Sequence, residues 1–226
     1  MPRKLAIVGY GKMGKMVEQL APEYGFAVQA RLDVNDDLRG AAGADVAIEF
    51  TSPGAVATNV EILAELGVPV VVGTTGWLGE LGRVSKAVEK HGGGLVWSPN
   101  FSIGVNVFFR LVREAARLLE NQPEYGAWAW EVHHSTKKDA PSGTLLKLVE
   151  EMKNCGYSRP IDLSSSRAGA HPGTHEIGFD SAADTITLRH SARSREGFAR
   201  GALKAAQWLP GNCGVFKFED ILFQSR

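Results

Sequence analysis

Lys4-Leu-Ala-Ile-Val-Gly-Tyr-Gly-Lys-Met-Gly14 is the stretch on which the fold turns. Lys4 to Val8 is a short apolar run of the kind found in a buried parallel strand. Gly9-Tyr10-Gly11-Lys12-Met13-Gly14 follows at once, and Lys15 to Leu20 then has helical spacing. Gly9 permits a tight turn, Gly11 lets backbone approach a pyrophosphate, and Gly14 lets the helix pack near the strand. A second strand, Phe26 to Leu32, ends at Asp33. That places an acid about twenty residues on, where a dinucleotide's ribose needs a ligand. A glycine pattern alone is weak, and a merely structural turn is the competing reading. The strand before, the helix after and the acid beyond favour dinucleotide binding.

Strand and helix continue to alternate. Asp45 to Phe50, Val68 to Val72 and Gly94 to Trp97 read as strands, with helices over 55–66 and about 78–91 between them. Such alternation implies a parallel sheet with right-handed crossovers, whose ligands lie beyond the C-terminal strand ends. Gly73-Thr74-Thr75-Gly76 and Pro99-Asn100-Phe101-Ser102 fall at such ends. As bare loops they are unremarkable. Residues 104–119 form a long amphipathic helix read as core. Glu176 to Phe179 and Asp184 to His190 alternate like strands of an antiparallel or mixed sheet, and Ser166 to His175, polar and glycine-rich, reads as a loop. The fold class is α/β: an N-terminal Rossmann-like parallel-sheet domain plus a C-terminal α+β domain with a mixed sheet.

The chain has 226 residues and a formal net charge of zero. That length suits one large domain or two small ones, and the charge balance argues against a general nucleic-acid or membrane-surface binder. The two cysteines, Cys155 and Cys213, are too few and too far apart for a disulfide framework or a zinc cluster. No metal is expected. The start shows no signal peptide and no run approaches a membrane span, so a cytoplasmic location is expected.

Chemistry concentrates in Glu131-Val-His-His-Ser-Thr-Lys-Lys-Asp-Ala-Pro-Ser-Gly-Thr144. Trp128 to Val132 reads as a strand, so His133 and His134 sit where it gives way to a loop. Ser142 is a candidate N-cap for a helix beginning near Gly143 and Thr144, whose first N–H groups lack partners inside the helix. Such an end seats a carboxylate or phosphate. Lys137, His133 and His134 would surround that anion. The bland reading is two loop histidines and an ordinary cap; the density of such groups in fourteen residues weighs against it.

His-His-x-x-Lys-x-Asp-Ala-Pro-Ser-Gly-Thr resembles the signature of the dihydrodipicolinate reductases, also called 4-hydroxy-tetrahydrodipicolinate reductases, and the resemblance runs in order along nearly the whole chain. It extends to Arg167 and Gly169, Gly173 and His175, then His190, Ala192 and Arg195. It implies NAD(P)H-dependent reduction of a small cyclic dicarboxylate on the diaminopimelate route to lysine. It implies His133 as general acid and Lys137 as a positive charge by the ring nitrogen or a carboxylate, with the division of proton delivery between the two left open. His134, Ser142, Gly143 and Thr144 would bind substrate. Gly9, Tyr10, Gly11, Lys12, Met13, Gly14 and Asp33 would bind the cofactor, with Gly73, Thr74, Thr75, Pro99, Asn100 and Phe101 at its nicotinamide end. It further implies a nucleotide domain over 1–103 completed by 197–226, a substrate and oligomerisation domain over 104–196, and a homotetramer.

Val34 follows Asp33 where the resembling family often has a basic residue. A carboxylate accepts from the ribose 2′-OH of NAD and repels the 2′-phosphate of NADP. NADH is therefore the expected cofactor and NADPH a possible second one, with Lys12 and Arg31 the basic groups that would compensate. Two other readings compete: a different two-domain dehydrogenase acting on an amino or 2-hydroxy acid, and a catalytically silent nucleotide sensor. The first leaves the His-His-x-x-Lys run unexplained. The second would not need His133, Lys137, Ser142 and Gly143 together.

Overall fold

The computed structural model describes residues 1–224. The chain divides into two compact units, Met1–Ile103 with the segment from Arg195 onward, and Gly104–Ser194.

The first unit carries β1 (Arg3–Val8), α1 (Lys12–Leu20), β2 (Phe26–Leu32), β3 (Val46–Glu49), α2 (Val56–Glu65), β4 (Val70–Val72), α3 (Leu81–Lys90) and β5 (Gly94–Trp97). A six-stranded sheet runs in the order β10-β5-β4-β3-β1-β2, where β10 is Gly214–Lys217, supplied from the end of the chain. All five pairings are parallel. The apolar runs of the strands follow from burial on both faces. Leu5, Ile7, Ile48, Val71 and Val96 pack against α1 and α6 (Glu196–Trp208), whose buried residues are mostly alanine. Ala6, Val8, Ala47, Val70, Val72 and Leu95 pack against α2 and α3. Each large aliphatic side chain so buried contributes about 1.5–3 kcal/mol. The chain order reverses around β1, which puts the loop after β1 at the crevice where such sheets receive ligands.

In the second unit α4 (Ile103–Leu119, beginning on the last residue of the first unit), β6 (Gly126–His133), α5 (Gly143–Asn154), β7 (Ile161–Arg167), β8 (Thr174–Asp180) and β9 (Thr185–Ser191) follow in order. The sheet order is β7-β6-β8-β9, with β6–β7 parallel and the other two pairs antiparallel. The sheet is therefore mixed. Phe108, Val112 and Ala116 of α4 and Leu145, Leu148 and Met152 of α5 pack on Ala127, Ala129, Ile177 and Phe179. A five-residue helix α7 (Phe218–Leu222) follows β10 in the first unit.

The structure corrects several sequence expectations. β7 was not anticipated: its Ser-Ser-Ser centre has weak strand character and is held by pairing along β6. Pairing also shortens the expected loop over Ser166–His175 to residues 168–173, because Arg167 ends β7 and Thr174 starts β8. Helix α1 starts at Lys12, so Met13 and Gly14 are helical. Strand β4 begins only at Val70; the carbonyl of Pro69 still accepts from Ala47, while proline itself has no N–H to give.

Candidate active site

The two candidate regions lie on different units and are described separately. In the first unit, Gly9 has φ +92°, and a Cβ there would lie 2.1 Å from the Phe50 carbonyl oxygen. A Cβ at Gly14 would lie 2.3 Å from the carbonyl oxygen of Gly9. The helix thus starts against the strand end in a way only glycines permit. Gly11 is the N-cap of α1 and offers no side-chain cap, so the first N–H groups of the helix remain for a ligand. Tyr10 does not face outward alone: its phenol donates to Glu18, which Arg31 also engages through Nε at 2.7 Å. Arg31 is therefore committed to Glu18, while Lys12 is exposed at the helix start.

Asp33 follows β2 and is exposed, with Oδ1 accepting from Val34 N at 3.0 Å. Its own N–H donates to Asp36 Oδ2 at 2.7 Å, so a second carboxylate stands beside it. At the other strand ends, Thr74 Oγ1 accepts from Thr51 N at 2.7 Å, and Thr75 and Pro99 are exposed. Asn100 Oδ1 accepts from Ser102 N at 2.9 Å, which fixes that loop. Phe101 departs from the expectation. Its ring is buried and packs on Phe218 with centroids 4.8 Å apart, so its side chain belongs to the core and only its backbone is left for a cofactor.

In the second unit, Glu131 and His133 are two apart on β6 and so share a face. His175 of β8 pairs directly across from Glu131. Ser165 and Arg167 arrive from β7 in register with Glu131 and His133. The result is a buried polar cluster. Glu131 is wholly buried, and its Oε1 accepts from Ser142 N (2.9 Å), Ser165 Oγ (3.0 Å) and Arg167 Nη2 (3.1 Å). Burial pushes the Glu131 carboxyl up, but the hydrogen bonds from Ser142, Ser165 and Arg167 outweigh it and hold the group below the usual carboxylate range. Oε2 faces His133 Nδ1 and His175 Nε2, each at 3.4 Å. These three groups lie within 4.8 Å of one another, near enough to meet a cation, but Arg167 already brings positive charge to the same carboxylate.

Burial lowers the pKa of His133, with Lys137 and Arg167 adding to the effect and Glu131 opposing it. Burial lowers His175 to about 4, so that ring is neutral near pH 7. A Cβ at Gly173 would lie 2.9 Å from His133 Nε2, and φ there is +134°, so no side chain fits against that edge of the ring.

Ser142 caps α5 as its sequence implied: Oγ accepts from Leu145 N at 3.2 Å and also meets His175 Nε2 at 3.1 Å. Lys137 is mostly covered and donates to both oxygens of Asp139, at 2.8 and 2.9 Å. Lys137 holds the Asp139 carboxyl below its usual range, and the Gly143 backbone amide adds to this. An exposed acid of the chain thus rests on the two groups expected to receive a substrate carboxylate. His134 lies in the loop, partly exposed, with Nδ1 at 2.7 Å from Thr136 Oγ1. The structure thus joins His133 and Ser142, at the start of α5, through Glu131, sets Lys137 and the Gly143 amide on Asp139, and leaves His134 in the loop. Sequence reading assigned no role to Glu131, and placed Arg167 and His175 only by resemblance. The two-residue spacing of Glu131 and His133 was the available signal.

A Rossmann-like unit with a mixed-sheet unit that carries buried histidines is the architecture of a nicotinamide-dependent reductase of small molecules, the class to which the comparisons assign the chain. The model for "Dihydrodipicolinate reductase, N-terminus" matches residues 3–101, and that for "Dihydrodipicolinate reductase, C-terminus" matches residues 104–222. The chain belongs to the dihydrodipicolinate reductase family. It is 34% identical over 232 residues to the 4-hydroxy-tetrahydrodipicolinate reductase of Christiangramia forsetii, covering 96% of this chain and 97% of that one. It is 40% identical over 211 residues to the enzyme of that name from an Anaeromyxobacter species, covering 84% and 77%. In fold it matches the dipicolinate-bound dihydrodipicolinate reductase of a Paenisporosarcina species with a TM-score of 0.85 at 23% identity, over 98% of this chain and all of the other. Among the described residues no helix is long and apolar enough to cross a membrane.

Proposed function

We propose that the chain reduces 4-hydroxy-tetrahydrodipicolinate to tetrahydrodipicolinate, a step toward diaminopimelate and lysine. The observation that carries this reading is the joining of His133 and the capped start of α5 through one buried carboxylate, with Lys137 held by Asp139 in the loop between them. The nicotinamide, when bound, supplies hydride to the unsaturated ring. The chain's own residues must then neutralise two carboxylates and deliver a proton to the resulting enamine.

The N–H groups of Gly143 and Thr144 seat one carboxylate, with glycine permitting close approach. Lys137 faces the same anion, and Asp139 must yield it when substrate enters. His134 helps to place the substrate from the loop. His133 is the general acid. Its pKa is lowered in the free protein, chiefly by burial, and the arriving dianion raises it again, so the ring takes up its proton as the substrate binds. Because the acid must be protonated, turnover falls as pH rises through the His133 pKa. The test is oxidation of reduced cofactor that depends on this substrate.

NADH is the preferred cofactor in this reading. Asp33 and Asp36 stand together at the end of β2, Val34 is exposed where a cation would be needed, and Arg31 is held by Glu18. Asp33→Ala should raise KM for NADH by roughly ten- to a hundredfold, the worth of hydrogen bonds to a charged group, and change KM for NADPH less. Equal effects on both would remove the ribose argument.

The sheet of the second unit buries one face under α4 and α5 and turns Trp128, Trp130 and Glu176 to the other. Half-buried indoles on a sheet face are suited to subunit contact. We assign the homotetramer to this face. Light scattering should give four times the 24.3 kDa chain mass, and Trp130→Glu should reduce it; a monomeric wild type would contradict the assignment.

A further inference from the structure

The reading of His133 as the acid leaves the wholly buried carboxylate beside it, that of Glu131, without a part in the reaction. Glu131 has one oxygen crowded with donors and another, Oε2, that is buried and accepts no hydrogen bond. His133 Nδ1 is likewise buried and unpartnered, and the two atoms face each other at 3.4 Å. A buried carboxylate oxygen and a buried ring nitrogen left unpaired are each costly. A small turn of the ring brings them into a hydrogen bond, and catalytic hydrogen bonds are often long before substrate binds.

We propose that Glu131 is the positioning residue of this site: Oε2 takes the Nδ1–H of His133, while Oε1, through the Ser142 N–H, fixes the start of α5. One side chain then sets the proton donor and the anion seat in register. Its effect reaches the substrate only through those two groups. The orientation follows from the ring's surroundings. With Nδ1 turned to Glu131, the proton to be delivered resides on Nε2, and that is the edge which Gly173 keeps free of a side chain. Oε2 also faces His175 Nε2, a neutral ring that fills the remaining side without adding charge.

The groups facing His133 are Glu131 on its own strand, Lys137 and Asp139 from the following loop, Arg167 from β7 and His175 from β8. Of these, Glu131 is the leading influence that favours the imidazolium; Asp139 contributes less, and Lys137 and Arg167 oppose it. Replacing the carboxylate by an amide therefore makes His133 release its proton at lower pH.

The inference rests on the proposed function for its kinetic consequence but not for its structural one, and the test separates the two. Nitrogen-15 NMR of the ring atoms, assigned with His133→Gln, reads the tautomer in the wild-type protein. The neutral ring should carry its proton on Nδ1. In Glu131→Gln the His133 titration should move to lower pH. Turnover should fall by about tenfold or more, within the range for a misplaced acid, its alkaline limb should move the same way, and KM for NADH should stay unchanged. A wild-type ring protonated on Nε2 would overturn the proposal even if the variant failed to fold. So would a Glu131→Gln protein with the wild-type titration and pH profile. An Nδ1–H ring in a protein that does not reduce the substrate would leave the pairing standing and remove the proposed function instead.

Discussion

His133→Gln lowers turnover by about 10²-fold or more, the usual contribution of a positioned general acid, while KM for the dicarboxylate changes little. Glutamine keeps a polar group of similar reach but holds no proton to give at neutral pH. The ring is buried among Glu131, His175 and Gly173, and its Nδ1 has no hydrogen-bond partner among the described residues, so the fold should survive its loss. The burden falls on kcat because the missing interaction is made only as the enamine is protonated. The wild-type alkaline limb, set by His133, should vanish from the residual activity. Steady-state rates from pH 5 to 9 check both points. A near-wild-type rate would remove His133 from the role and leave Lys137 as the donor.

Lys137→Met should lose kcat and substrate affinity together, by about ten- to a hundredfold in kcat/KM. A hydrogen bond to a charged partner is worth about 1.5–3 kcal/mol, and tenfold corresponds to about 1.4 kcal/mol. In the free protein the ammonium is mostly covered and held by both oxygens of Asp139. Methionine keeps the stem and removes the charge, which leaves Asp139 without its cation. The loss should therefore exceed that of a surface ion pair, which is worth little. Unchanged kinetics would exclude Lys137 from the site. A rise in KM with constant kcat would confine it to binding, since uniform binding does not alter turnover.

Much of the fold was legible because its strands are apolar on both faces. Leu5 to Val8, Val46 to Glu49 and Leu95 to Val96 announce buried parallel strands without any partner in view. The glycine turn was legible for a similar reason: Gly9 and Gly14 sit where a Cβ would strike backbone. What sequence did not show was pairing. The Ser-rich β7 has no strand pattern of its own and exists because β6 offers it a row of partners. Phe101 lies in a loop that resembles a cofactor contact, yet its ring is drawn into the core by Phe218, 117 positions away.

The same limit governed the site. Ser142 could be named because capping is local, read within four residues. Glu131, Arg167 and His175 come from three strands and converge only through the register of the sheet. No spacing in the linear chain joins Glu131 to His175. The resemblance to a family carried those residues along without saying what they touch. The buried carboxylate at the centre emerges only when the three strands are laid side by side.

The most direct measurement is oxidation of NADH and NADPH, in parallel, with the unstable substrate generated in place by the upstream synthase from pyruvate and aspartate semialdehyde. The account requires rapid loss of reduced nucleotide that depends on the synthase, faster with NADH than with NADPH. No synthase-dependent loss, in a protein shown separately to bind NADH, would contradict it and turn the site around Lys137 and the start of α5 over to another substrate or to a silent sensor.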